Sequence, residues 1–246
     1  MISGFGYLTL ALAFLLAVYG LLMVVWGLVK RSQAPIESAR LALILIFPLV
    51  TISLIAMLNL LAGDRFDIAY VHSVSSSNLP LYLKLTALWG GQSGSLLFWS
   101  WLLGGFSLAF SIRKWKSDPD LLPHSLLVIF LTMVFFLFLN VFMETPFLRF
   151  WHLPNGGRVV SVFQPAGAWP LMPQEGQGLN PLLRHPGMIW HPPALYLGFV
   201  GFVIPFALAI ATLAVGRDDR RWLEIARPWT LIAWVFLTLG LVLGMR

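Results

Sequence analysis

Long apolar runs separated by short polar joints organise this chain. Since about 20 apolar residues cross a bilayer as a helix, six spans follow, near Phe5–Val29, Leu41–Ala62, Leu88–Phe110, Ser125–Met143, Pro192–Ala214 and Trp229–Gly244. They predict an all-α fold: a polytopic membrane helix bundle forming a single transmembrane domain over residues 1–246. The first run could pass for a secretion signal. No basic stretch precedes it, however, it runs for about 25 residues, and it has no clear small-residue cleavage site, so it reads as a helix. Pro48 and Pro205 fall inside spans, where neighbouring helices satisfy the carbonyls they free. The last span is the odd one. At about 16 residues it reaches some 24 Å, short of the hydrocarbon thickness, and predicts that the chain is the front part of something larger.

Composition agrees with the pattern. Hydrophobic residues make up 59% of the chain and charged residues 11%, with a mean hydropathy of +0.83, outside the range of soluble domains. The absence of cysteine excludes disulfides, zinc–thiolate sites and thioether attachment to this chain. A net charge of +6 is not a nucleic-acid footprint, because the basic residues sit in short joints. Lys30, Arg31 and Arg40 flank the first joint, Arg113, Lys114 and Lys116 the third, and Arg217, Arg220, Arg221 and Arg227 the fifth. The longer second and fourth joints hold only Arg65, Lys84, Arg149, Arg158 and Arg184. By the positive-inside rule, the N-terminus and the two long loops face outward.

Candidate chemistry gathers in two places. In His191-Pro192-Pro193 the prolines suit the first turn of a helix, with His191 at its mouth. The positive helix end favours a neutral imidazole, a natural metal or haem ligand. A histidine hydrogen-bonded to a loop carbonyl fits the same spacing equally well. The second place is Trp89-Gly90-Gly91-Gln92-Ser93-Gly94-Ser95, followed by Phe98, Trp99 and Trp101. An interfacial aromatic belt explains any single tryptophan. Flat aromatic walls beside glycine-opened backbone would also suit a planar ligand such as a porphyrin.

The remaining polar residues carry less. His72, His152 and His185 lie in outward loops, with His72 and Asn78 flanking a segment, 73–77, that reads as solvated. His124 suits a capping role. No acidic residue lies inside a span, Glu144 being at a helix end, so a proton relay or ion-coupled transporter has no basis.

Three blocks carry a family resemblance. They are Leu79 to Trp99, the stretch Gly178-Leu-Asn-Pro-Leu-Leu running through Pro186-Gly187 into His191-Pro-Pro-Ala-Leu-Tyr-Leu-Gly198, and Arg227 to Gly244. Together, in this order, the chain resembles the CcmF family of cytochrome c biogenesis proteins, the haem lyase component. The resemblance implies that His191 is one axial ligand of an integral haem b, the second lying outside this chain. The residues read above as suiting a planar ligand, Trp89, Gly90, Gly91 and Trp99, would then form a wall at the haem's side. The partners the resemblance implies are a C-terminal CcmF-like portion or subunit, the haem chaperone CcmE, a CcmH-type thiol protein and apocytochrome c. The location it implies is the bacterial inner membrane, with the working loops periplasmic.

Departures limit what is implied. The family usually has Trp-Gly-Gly-His-Glu-Gly-Ser where this chain has Gln92 and Ser93. Residues 158–173 make the fourth loop long. The Trp-Trp-Asp segment that holds substrate haem in the family is not in this sequence. The chain therefore resembles the N-terminal part of a haem lyase, needing a companion for thioether chemistry. A haem-delivery component without lyase chemistry and a non-catalytic membrane scaffold are the alternatives.

Overall fold

A computed structural model describes residues 1–113, 115, 118–216 and 219–245. Lys114, Lys116 and Arg217 of the loop-charge argument, and the final Arg246, lie outside the described residues. Among the described residues six segments are long and apolar enough to span a membrane. They are α1 (Ile2–Lys30), α2 (Gln33–Ala62), α5 (Gln92–Ile112), α6 (Leu121–Phe138, continued by a π-turn at Leu139–Met143), the pair α7 (Gly187–Gly201) and α8 (Val203–Val215), and α9 (Arg221–Gly244). Short helices α3 (Ala69–Val74) and α4 (Leu81–Thr86) lie in the second loop. The chain is a multi-pass membrane protein, as its hydropathy predicts.

Helix ends differ from the expected ones where physics other than hydropathy decides. The last helix begins at Arg221, eight residues before Trp229, and its 24 residues reach about 36 Å. Arg221 and Arg227 are tolerated because their heads can reach the interface, so the span looks short only when apolar residues alone are counted. The fifth span is broken at Phe202. Pro205 cannot donate to the Gly201 carbonyl and its ring crowds that turn, which explains a break a few residues upstream.

Packing follows membrane rules, in which small residues and van der Waals fit replace hydrophobic exclusion. α1 packs on α2 and α6, α2 on α5, α6 on α8, and α7 on α9. Leu10, Ala13 and Ala17 of α1 meet a core that includes Leu43, Ile46 and Val50 of α2 and Ile129, Phe130 and Met133 of α6, all fully buried. In the last turn of the α6 span, the buried Asn140 amide donates to Ser100 Oγ at 2.9 Å and to the Leu96 carbonyl at 3.1 Å. In α9 only Ile225, Ala226, Ala233 and Gly240 are buried, so its other faces meet lipid or further protein.

The fourth loop adds β-structure that apolar periodicity did not predict. Strands β1 (Arg149–His152), β2 (Arg158–Ser161) and β3 (Trp169–Pro170) form an antiparallel sheet in the order β2-β1-β3. Thus the extra length around residues 158–173 folds back as hairpin strands. The two long loops knit together at this end of the bundle, hereafter the loop end. Buried Asp67 accepts both Arg65 Nε (2.9 Å) and Nη2 (3.0 Å) and pairs with Arg149 Nη2 at 3.2 Å. Its carbonyl accepts the Phe150 N–H at 2.9 Å. Asp67→Asn is expected to leave two guanidiniums without their anion, costing about 2 kcal/mol after allowance for their partial exposure. Faster hydrogen exchange across residues 148–152 would register it.

Residues 73–77 are not simply solvated. Ser75 is fully buried, the Gln177 and Gly178 N–H groups donate to the His72 and Ser75 carbonyls, and the Ser77 hydroxyl and amide both bind Glu175. These Ser77 donors hold the exposed Glu175 carboxyl below its ordinary range. At the opposite end, buried Asp118 pairs with Arg221 Nε at 3.0 Å and Arg113 Nη2 at 3.9 Å, tying the third joint to the start of α9.

Candidate functional site

The loop before α7 is built turn by turn. Asn180 Oδ1 accepts the Leu182 N–H at 3.0 Å and opens a short 3₁₀ turn, Pro181–Arg184. His185 Nδ1 then accepts the Gly187 N–H, the first of α7, at 3.1 Å. Because α7 starts at Gly187, His191 is its fifth residue, about 6 Å along the axis. The expected placement of Pro192 and Pro193 in the first turn is therefore corrected: both lie inside the helix. Pro192 removes the donor for the Met188 carbonyl, and the Trp89 indole N–H donates to that carbonyl instead, at 2.9 Å.

His191 faces α9. Its Nδ1 lies 2.7 Å from the Gly240 carbonyl oxygen. A carbonyl can only accept, so Nδ1 carries a proton, and in the neutral ring the lone pair is then on Nε2. Among the described residues Nε2 has no hydrogen-bond partner. The ring reaches α9 because α9 is bare there: a Cβ on Gly244 would lie 2.5 Å from the imidazole Cε1 and 3.2 Å from Nε2. The same seam continues inward, where a Cβ on Gly240 would lie 2.7 Å from Leu195 N and one on Gly198 would lie 2.6 Å from Leu237 Cα. Glycines four apart on α9, Gly240 and Gly244, are a small-residue contact motif. That spacing is visible in the sequence and marks the partner face of His191.

The tryptophan–glycine segment is organised around α5. Trp99 packs with Phe136, Tyr196 and Phe199, at ring-centroid distances of 5.7, 5.1 and 6.5 Å. Tyr196 lies five residues beyond His191, about 140° around the helix. Trp99 and the His191 ring therefore meet different faces of α7, and the structure does not bring them together as two sides of one pocket. Gly90 and Gly91 admit close neighbours, Leu179 and Tyr70 respectively, each 3.0 Å from where a Cβ would stand.

Tyr70, missed by sequence reasoning, fixes this segment. It is buried, with its hydroxyl 2.8 Å from the Leu88 carbonyl oxygen and 2.9 Å from that of Ala87. Burial pushes its ionisation well above the ordinary tyrosine range, so it remains a donor. A Cβ on Gly94 would collide with both the Leu88 carbonyl and the Tyr70 hydroxyl. Gly94→Ala is thus expected to lower stability by about 1–3 kcal/mol, measurable as a reduced midpoint of thermal unfolding in detergent.

The other polar positions find structural partners. Ser93 Oγ donates to Glu144 Oε2 at 3.1 Å, so a carboxylate from the end of α6 stands at the first turn of α5. His152 stacks on Trp169 and His72 meets Phe150 edge-on. His124 Nδ1 donates to the Asp120 carbonyl at 3.1 Å, which ties down the start of α6. Among the described residues no group of three or more His, Asp or Glu could hold a metal ion. Chemically, the site is a single imidazole oriented through its Nδ1 at the loop end of a helix seam.

The fold and the site define a multi-pass membrane helix bundle with one oriented imidazole at its loop end, and comparison with known proteins gives its family. Residues 89–246 match the model for cytochrome c assembly proteins, and the chain belongs to that family. It is 38% identical over 242 residues to the cytochrome c-type biogenesis protein CcmF of Escherichia coli (strain K12), covering 98% of this chain and 34% of that protein. It is 36% identical over 245 residues to the cytochrome c-type biogenesis protein NrfE of Haemophilus influenzae, covering 99% of this chain and 35% of that one. The solved structure of a cytochrome c haem lyase CcmF superposes with a TM-score of 0.79 at 29% identity, over all of this chain and 36% of the other. The chain thus spans about a third of the length of the relatives it matches.

Proposed function

We propose that this chain forms the haem-binding front part of a cytochrome c haem lyase, with His191 Nε2 as one axial ligand of haem iron. The observation that carries the proposal is the Nδ1–H bond from His191 to the Gly240 carbonyl. Ligating histidines characteristically donate their other ring N–H to such an acceptor, which fixes the tautomer and raises ligand basicity. The residues present fit haem at that one coordination position. The other four histidines are engaged elsewhere: His185 with the Gly187 N–H, His124 with the Asp120 carbonyl, and His72 and His152 against aromatic rings. The family resemblance puts the second axial ligand in a companion region outside this chain.

The family resemblance casts the group as a resident haem b. A second reading is favoured by depth: His191 lies about one turn from the start of α7 and opposite Gly244 at the end of α9. A ligand at the rim of the bundle would suit a haem held in transit to an apocytochrome. When bound, haem provides the vinyl groups to which apocytochrome thiols add in thioether formation. This chain's own residues orient one ligand and seal one helix seam. The loop end faces the periplasm of the bacterial inner membrane in this reading, where the chaperone CcmE, a CcmH-type thiol protein and apocytochrome c are the expected partners.

Cells lacking their own CcmF-type protein provide the test. Producing this chain together with its companion region is expected to restore covalent haem on c-type cytochromes, whereas the chain alone restores none. Full activity from the chain alone would overturn the division of labour. No activity from the pair would remove the lyase assignment.

A further inference from the structure

Two proline-freed carbonyls leave the first turn of α7 weakly attached to the rest of its own helix. Pro192 and Pro193 have no N–H, so the carbonyls of Met188 and Ile189 lose their helical donors. That loosened turn ends at His191. Two contacts from other elements hold it: His191 itself binds the Gly240 carbonyl of α9, and Trp89 binds the Met188 carbonyl from the α5 side.

We propose that Trp89 is a positioning residue for His191. Its indole N–H replaces the helical donor that Pro192 lacks, locking the first turn of α7 so that Nε2 keeps its direction. The inference rests on the reading of His191 as a haem ligand. An ordinary interfacial tryptophan turns its N–H towards headgroups and water. The Trp89 N–H instead reaches an internal carbonyl 99 residues away in sequence. Its own base is rigid. Tyr70 holds the backbone of residues 87–88, Ser95 Oγ donates to the Trp89 carbonyl at 3.3 Å, and the ring packs on Phe98 at 5.4 Å. The path from Tyr70 through Trp89 to Met188 thus ends three residues before the imidazole.

The test is a double-mutant cycle on the chain assembled with its companion region, read as the rate of haem loss to excess apomyoglobin. Trp89→Phe keeps an aromatic ring and removes the donor, and haem is expected to leave about tenfold faster, the low end for loss of a ligand-supporting group. Pro192→Ala restores an amide N–H that can reach the Met188 carbonyl. Adding Trp89→Phe to Pro192→Ala is therefore expected to change haem loss less than twofold. A Trp89→Phe protein that fails to fold alone but is recovered by Pro192→Ala supports the proposal in the same way. Equal damage in both backgrounds would mean that the ring packs and the bond does not matter, which overturns the proposal. So would a Trp89→Phe protein that retains haem like wild type. His191→Ala in the same assay separates the two ideas. If it releases haem while the Trp89 cycle is additive, only the positioning role falls; if it retains haem, the ligand reading falls and the positioning role with it.

Discussion

Replacing Gly198 with leucine is expected to drive α7 from α9 and to destabilise the bundle by about 3 kcal/mol, the upper end for overpacking a tight contact. The neighbour is backbone: a Cβ on Gly198 would stand 2.6 Å from Leu237 N and Cα. A flexible side chain could rotate away, but a helix backbone can only translate. Moving the two axes apart also stretches the 2.7 Å bond between His191 and Gly240, so haem retention falls with stability. Gly4→Leu is the control, because nothing lies within 4 Å of where its Cβ would stand, and it is expected to stay within about 0.5 kcal/mol of wild type. Unfolding midpoints in matched detergent compare the two.

His191→Ala has a different expected signature. The side chain makes a single hydrogen bond, so its loss costs only about 1 kcal/mol of stability. Haem binding, by contrast, is expected to fall by more than the roughly 10–100-fold typical of losing a supporting group, because the ligand itself is gone. Gly198→Leu thus damages fold and haem together, while His191→Ala damages haem with the fold intact. Haem content per protein, set against the unfolding midpoint, separates them. Wild-type haem content in folded His191→Ala protein would remove the ligand assignment.

The architecture was legible wherever lipid solvation alone decides it, and less so where single hydrogen bonds do. Apolar run length found all six spans because an unpaired backbone group in hydrocarbon is too costly for any non-helical alternative. It missed the start of α9, where Arg221 and Arg227 are charged yet helical. The sheet of the fourth loop was hidden because its strands are two to four residues long and show little alternation. His191 stood out in its motif as a candidate, but its place in the helix was misjudged. The motif places prolines after it, and prolines mark a first turn only if the helix has not already begun. Here α7 starts at Gly187, which puts both prolines inside and creates the free carbonyl that Trp89 takes. Of the two tryptophans read as a haem wall, Trp99 joins an aromatic cluster on another face of α7, a distinction that helical angle decides and composition cannot, while Trp89 bonds to the Met188 carbonyl beside His191. Tyr70 gave no signal in the sequence, because its role depends on a loop folding back under residues 87–94.

Coordination of haem iron by His191, at the loop end of the α7–α9 seam, is the proposal on which the others depend. The reduced-minus-oxidised visible spectrum of the chain purified with its companion region tests it, comparing wild type with His191→Ala, each with and without added imidazole. A haem signal is expected in the wild type, its loss in His191→Ala, and its partial return when imidazole occupies the vacated ligand position. Identical spectra for wild type and variant would contradict coordination by His191.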